Sequence, residues 1–472
     1  MRLAEQLERI AAAPAGPRVG AFFDLDGTLV SGYTASTFFT DRLRHREVPL
    51  GTFVRTFVAA VDGTLGGEAT RAAIEGYAAM GGQTEDTIRD LGERLFVQKI
   101  ARTVRPQARE LVRAHQARGH TVVVASAASV YQIAPVARDL GIEHLVCTQL
   151  EVVDGVLTGE IRGKLLWGPE KATGMRGFAR AHKVRLADSF AYGNGDEDVA
   201  FLAGVGNPVA LNPYTGLRKA AARFGWPVLD LRDPPGFSVT DLARTVVALG
   251  GLNAGASAGL VYGLVRGDRR EGTRLGVSLA CEAALRLGGI ERRIVGLENL
   301  PTGPAVYVAN HQSALDPIAV ASILPGDFTV VAKKEARFDP RALLGSVLLD
   351  PAYIDRSDSA SARATLAETA ERIRGGTSLL IFPEGTRSAS QVLGRFRKGA
   401  FHLAIQAGVP VVPVVLRNTG ELLPRHGRVM HPGVLDLAVL EPVTGWRVDR
   451  LDAQVNALHA QFAATLADWP QQ

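Results

Sequence analysis

His311 and Asp316 stand five residues apart in the segment NHQSALD, directly after the apolar run AVYVA at residues 305–309. Histidine titrates near neutrality, so its neutral ring can take a proton from a hydroxyl. A carboxylate a few residues on can bond the other ring nitrogen and stabilise the imidazolium that forms. The apolar run reads as a buried strand, which would present His311 at a strand end. Asp316 joins it if the chain turns into a helix between the two. Alone, the spacing would also fit a surface histidine near a helix-capping aspartate, so the neighbouring blocks decide its meaning. Arg356 ends the stretch PAYIDR, and Arg387 lies in FPEGTRS at residues 382–388. A guanidinium forks paired donors onto phosphate oxygens. Gly385 gives that turn backbone freedom. Glu384 cannot favour a phosphate and is expected to fix the arginine or the loop. Lys398, in GRFRKGAF, is a further candidate cation, and VPVVPV at residues 409–414 reads as a strand. A solvated surface charge remains the simpler account of any one of these basic residues.

The order of these blocks carries more than any one of them. NHQSALD, PAYIDR, FPEGTRS and VPVVPV follow one another between residues 310 and 414. Together they resemble the glycerol-phosphate acyltransferase family, specifically the PlsC-type 1-acyl-glycerol-3-phosphate acyltransferases. The resemblance implies transfer of an acyl chain from acyl-CoA or acyl-carrier protein to lysophosphatidic acid. It makes His311 and Asp316 the catalytic pair. It assigns acceptor binding to Arg356 and to the block Glu384, Gly385, Thr386 and Arg387. Lys333 and Lys334, in VVAKKE, sit where that family commonly carries basic residues.

A second constellation opens the chain. AFFDLDGTLV, residues 21–30, is an apolar strand running into Asp24, Asp26 and Thr28. An aspartate at a strand end can attack phosphorus and form an aspartyl phosphate. TVVVASAAS follows at residues 121–129, then Lys171 in GPEKATG and AYGNGDEDV at residues 191–199. These blocks resemble the haloacid dehalogenase superfamily in its phosphoserine-phosphatase-like branch. The resemblance makes Asp24 the nucleophile, Asp26 the acid/base, Ser126 the phosphate-binding hydroxyl and Lys171 the charge-neutralising lysine. It implies a helical cap over about residues 33–102, and Mg2+ held by Asp24, Asp26, Asn194 and Asp198. In that family the last block usually begins Gly-Asp, with the aspartate a magnesium ligand, whereas this chain has Gly193-Asn194. The amide keeps an oxygen donor but loses a charge, so magnesium affinity is expected to fall. Asp196 is a candidate substitute ligand.

Composition fits two such parts. The chain has 472 residues, enough for about three domain-sized units, and a formal net charge of +5. That balance suits phosphate substrates or an anionic lipid surface. No concentrated basic stretch points to nucleic acid. Cys147 and Cys281 are far apart, which implies neither a disulfide framework nor a zinc site and suits a reducing cytosolic side. The N-terminal segment carries Glu5 and Glu8 and reads as a short amphipathic helix before Pro14 rather than a secretory signal.

Paired prolines at 234 and 235 mark a boundary. Residues 245–265 then carry no charge, long enough to span a bilayer, with glycines at 251, 255, 259 and 263 on one helical face. A second helical pattern covers residues 275–290. The pair is expected to form an antiparallel hairpin whose turn holds Arg266, Arg269, Arg270 and Arg274. PlsC-type enzymes can embed such a hairpin in one leaflet; a spanning hairpin and a buried soluble one are the alternatives. Beyond it, apolar runs alternate with helical patterns, as in an α/β domain.

The expectation is therefore a capped haloacid-dehalogenase-like (Rossmann-like) α/β domain over 1–236. A membrane-contact hairpin follows over 237–292 and an α/β acyltransferase domain over 293–472, placed monotopically or peripherally on the cytoplasmic face of the cell membrane. Two alternatives stand beside it: a magnesium-dependent phosphatase as the main activity, or a front half that is a non-catalytic interaction module.

Overall fold

The computed structural model describes residues 1–44, 73–234, 236, 238–333, 349–354, 359–388, 392–425 and 427–469. The chain divides into two compact units, Met1–Pro234 and Pro235–Gln472.

The first unit contains β1 (Gly20–Phe23), β2 (Thr121–Ser129), β3 (His144–Thr148), β4 (Leu150–Val153), β5 (Val156–Ile161), β6 (Phe190–Gly193), β7 (Asn207–Leu211) and β8 (Val228–Leu229). Six of them form a parallel sheet in the order β3-β2-β1-β6-β7-β8. Both faces are covered, so β1 reads GAFF without polar interruption and is buried throughout. The pleat sends alternate residues to opposite cores. Phe23, Val124 and Tyr192 join one, Phe22, Val123 and Ala191 the other. The strand order reverses between β1 and β6, which opens a crevice beyond their carboxyl ends. Asp24 enters that crevice, its N–H still bonded to the Tyr192 carbonyl at 2.9 Å.

Between β1 and β2 lie the helix Thr34–Arg44, a helix at residues 73–78 and the helix Glu85–Leu95. Their Phe38, Tyr77, Ile88 and Leu91 share the core of Phe23. The antiparallel pair β4–β5 buttresses this insertion, because Leu157 N–H donates to the Gln83 carbonyl at 2.9 Å. The N-terminal helix Leu3–Ala12 buries Ile10 and Gln6, and the Gln6 amide donates to the Tyr192 hydroxyl at 2.8 Å.

The second unit contains β9 (Ile290–Val295), β10 (Val306–Ala309), β11 (Phe328–Lys333), β12 (Ala352–Ile354), β13 (Ser378–Ile381), β14 (Val411–Leu416) and β15 (Gly433–Val439). They form one sheet, β12-β11-β13-β10-β14-β15-β9, parallel except between β14 and β15. Tyr307 faces one core and Val306 with Val308 the other. The carboxyl ends of β10 and β13 are neighbours, so the segments that follow them meet at one edge.

The hairpin forms, with different ends from those expected. Its helices are Val239–Arg266 and Arg269–Leu287. Gly267 adopts φ +68° as the stop of the first, and the Asp268 carboxylate accepts from Glu271 N–H at 3.0 Å to start the second. The turn is thus Gly267–Asp268. Arg266 closes the first helix, while Arg269, Arg270 and Arg274 lie inside the second, where Arg274 bonds Asp327 at 2.7 Å. Residue 290 belongs to β9 rather than to a helix. The glycine face is the contact face: a Cβ added to Gly259 would lie 2.2 Å from the Gly276 Cα. Outward, Leu264 and Val265 are 83% and 80% exposed. By length and composition the first helix could cross a membrane. Its near end is held to the sheet domain, where Met430 N–H donates to the Thr245 hydroxyl at 2.8 Å.

Gly259→Leu should therefore force the helices apart and lower stability by about 1–3 kcal/mol. Gly250→Ala, whose added methyl meets nothing within 4 Å, should hold or raise it. Thermal unfolding of the two variants checks this; equal midpoints would contradict the close-packed glycine face.

Candidate active sites

Asp316 is the fixed point of the second unit's site. It is fully buried at the first position of the helix Asp316–Ala321, where the helix dipole favours an anion. One oxygen, Oδ2, accepts from three donors: His311 Nδ1 at 2.8 Å, Gln312 N–H at 2.6 Å and Ser313 N–H at 2.7 Å. An ionised carboxylate only accepts, so Nδ1 carries the proton and Nε2 is left bare as a base. The Phe382 ring stacks on the imidazole, centroids 4.2 Å apart.

The backbone around His311 is held from both sides. Asn310, fully buried, exchanges two 2.7 Å hydrogen bonds with the Leu416 backbone at the end of β14. Glu384 accepts from His311 N–H at 2.7 Å through Oε1. Through Oε2 it accepts from the Ser388 hydroxyl at 2.6 Å and Gly394 N–H at 2.8 Å. Ser388 N–H donates back to the His311 carbonyl at 2.6 Å. The Glu384 carboxylate thus clamps the base-bearing loop to the loop of Thr386 and Arg387. Gly385 turns that loop at φ +74°, where a side chain would be strained. Arg387 is half-buried and has no carboxylate partner among the described residues. Asn310 and Phe382 were not singled out in the sequence; the asparagine's only signal is its place between an apolar strand and the histidine.

Not every expected residue joins this cluster. Lys398 makes an exposed ion pair with Asp452 of the helix Leu451–Ala467 at 2.5 Å. Arg356 and Lys334 lie outside the described residues, and Lys333 closes β11.

In the first unit, Asp24, Ser126 and Asn194 are carried by or follow the neighbouring strands β1, β2 and β6. The buried Lys171 ammonium donates to Asp24 Oδ1 at 2.6 Å and Asp198 Oδ1 at 2.7 Å. Burial works against its charge, and the two carboxylates overcome that and raise its pKa. One lysine cannot neutralise both acids. Burial pushes the Asp24 carboxyl up to about 8 despite the pull of Lys171, and burial lifts Asp26 to about 6. Thr34 donates to both Asp26 oxygens, at 2.7 Å from its N–H and 3.2 Å from its hydroxyl. Asp198 Oδ2 accepts from Asn194 and Gly195 N–H at 3.2 and 3.1 Å. Asp198 therefore positions Lys171 and the loop. Asp196 does not stand in for the missing ligand, because it accepts from Leu217 N–H at 2.6 Å and caps the helix Thr215–Phe224. Gly27 lies at φ +80° against Asn194, and a Cβ there would lie 2.1 Å from Nδ2. Ser126 is buried, its hydroxyl accepting from Ala128 N–H at 3.2 Å.

A divalent cation suits the uncompensated charge beside Asp24. Magnesium keeps several waters and needs only one or two carboxylates. Asp24 and the Asn194 amide oxygen are the donors on offer, and the latter already accepts from the Thr28 hydroxyl at 3.3 Å. Among the described residues no three His, Cys, Asp or Glu are grouped to hold a metal.

The sequence profile of haloacid dehalogenase-like hydrolases matches residues 21–203, and that of acyltransferases matches residues 291–417. The chain carries a haloacid dehalogenase-like hydrolase domain followed by an acyltransferase domain. Over 251 residues, 51% of this chain and 87% of the relative, it is 30% identical to a probable phosphatase of Mycobacterium tuberculosis. Over 160 residues it is 39% identical to the 1-acyl-sn-glycerol-3-phosphate acyltransferase of Saccharomyces cerevisiae; that match covers 33% of this chain and 52% of the yeast protein, about half its length. The solved PlsC of Thermotoga maritima is 22% identical, covering 48% of this chain and 97% of that one with a TM-score of 0.41.

Restoring a carboxylate to the hydrolase half should tighten magnesium binding. Asn194→Asp is expected to raise affinity about tenfold to hundredfold, as for other changes beside a metal. In the unaltered chain affinity should increase as pH rises through about 8, where Asp24 releases its proton. Magnesium titration by calorimetry at several pH values reads both. Equal affinity in chain and variant would contradict the role given to the missing charge.

Proposed function

We propose that the acyltransferase half moves an acyl chain from acyl-CoA or acyl-carrier protein to the free hydroxyl of lysophosphatidic acid, giving phosphatidic acid. The observation that carries this reading is the Asp316–His311 dyad clamped by Glu384 to the Arg387 loop. In the proposed reaction His311 Nε2 takes the hydroxyl proton as the oxygen attacks the thioester carbonyl. Asp316 stabilises the imidazolium that forms. The tetrahedral adduct collapses, the C–S bond breaks, and the imidazolium returns its proton to the departing thiolate. Arg387, with Arg356 assigned by resemblance, forks onto the acceptor phosphate.

The hairpin over residues 237–292 would hold the catalytic domain over 293–472 on the cytoplasmic leaflet, its exposed Val246, Val261, Leu264 and Val265 among the acyl chains. The front domain, over 1–236, would be a weak magnesium-dependent phosphatase. In it Asp24 attacks the phosphoester, Asp26 handles the proton, and Ser126 and Lys171 hold phosphate oxygens. Bound magnesium would shield charge between nucleophile and phosphate, held by Asp24 and Asn194.

His311→Ala should cost about a hundredfold to ten-thousandfold in acyl transfer while the fold survives. Arg387→Ala should raise the lysophosphatidate KM about tenfold to hundredfold. Acyl transfer by purified membranes carrying each variant, with acceptor concentration varied, is the measurement. Near-normal turnover of folded His311→Ala protein would sink the mechanism.

A further inference from the structure

Arg425 reaches the same loop from an unrelated part of the chain. Its Nη2 donates to the Thr386 hydroxyl at 3.5 Å, and Thr386 immediately precedes Arg387. Arg425 is half-buried; burial lowers its pKa and the Arg387 guanidinium beside it lowers it further. Among the described residues neither arginine has a carboxylate partner, whereas the half-buried Arg244 and Arg292 each have one. Like charges held together in a partly desolvated place repel, and an anion between them removes the repulsion.

The placement of Arg425 is built. The Ser313 hydroxyl, two residues after His311, donates to the Leu423 carbonyl at 2.7 Å. Leu422 and Leu423 are buried in the sheet core. His431 N–H donates to the Leu422 carbonyl at 2.8 Å, and the His431 ring bonds Asp241 at 3.1 Å. The segment bearing Arg425 is thus tied to the His311 loop before it and to the hairpin after it.

We propose that Arg425 is a second anchor for the acceptor phosphate, forming with Arg387 a two-guanidinium clamp beside His311. This rests on the acyl-transfer reading for the identity of the acceptor. Two forks account for selection of a dianionic phosphomonoester over a neutral glyceride, because each fork satisfies separate oxygens.

The test uses the full chain and Arg425→Ala, Arg425→Lys and Arg387→Ala. Acyl transfer is measured with lysophosphatidate and with monoacylglycerol as acceptors, and binding of glycerol 3-phosphate is measured by calorimetry. Arg425→Ala should raise the lysophosphatidate KM about tenfold to hundredfold with kcat nearly unchanged. Monoacylglycerol kinetics should not move. Arg425→Lys should recover part of the loss, since it keeps the charge and loses the fork. Glycerol 3-phosphate binding should weaken in parallel. An unchanged KM and unchanged binding would overturn the clamp, as would equal loss of kcat for both acceptors. If the unaltered chain transfers no acyl group yet Arg425→Ala still weakens glycerol 3-phosphate binding, the clamp stands and the acyl-transfer reading falls.

Discussion

A single buried oxygen, Oδ2 of Asp316, organises the second unit's chemistry. It takes three hydrogen bonds, two from the backbone that turns out of β10 and one from the imidazole. The backbone donors hold the loop in a tight turn, and the ring donor sets which imidazole nitrogen is bare. Without that acceptor two buried N–H groups would be unpaired, at a cost of about 1–3 kcal/mol each. The same atom therefore shapes the loop and chooses the base. Glu384 repeats the arrangement one strand away and joins the two loops, so that His311 and Arg387 are set by one connected lattice of carboxylates and backbone amides.

The two units reach their sites by a common route. In each, a wholly buried central strand delivers a polar residue to its carboxyl end, Asp24 after β1 and Asn310 with His311 after β10. Parallel neighbours end on the same edge, so Asn194 meets the first and Glu384 the second. The charge balance differs. At the site of the second unit, Asp316 Oδ2 and Glu384 are met by backbone N–H groups, a serine hydroxyl and the imidazole rather than by a lysine or arginine. In the hydrolase half Lys171 is shared between Asp24 and Asp198, and the remaining charge is relieved by a proton or a cation.

Most of the fold was legible because apolar runs and their periods are local. PAVYVA, FTVVA, SLLIF and VVPVVL became β10, β11, β13 and β14, and AFFDLD became β1 with its aspartates. The hairpin's glycine face was legible for the same reason. Its ends were not, since Gly267 and Asp268 are a stop and a start that hydropathy does not weigh. The β4–β5 hairpin is absent from the sequence reading, although its Asp154-Gly155 turn, both residues at positive φ, is a local signal for one. Contacts between distant segments left no local trace. Nothing near Lys398 marks Asp452 as its partner, nothing near Asp196 marks Leu217, and Arg425 reaches Thr386 only through the fold.

The account turns on Asp316 holding the proton on Nδ1 of His311 and leaving Nε2 free. Nitrogen-15 NMR of the histidine-labelled full chain at neutral pH reads that tautomer directly, with Asp316→Asn as its counterpart. The account predicts a neutral ring protonated at Nδ1 in the unaltered chain and loss of that preference in Asp316→Asn. A ring protonated at Nε2 in the unaltered chain, or an identical tautomer in the two proteins, would contradict it.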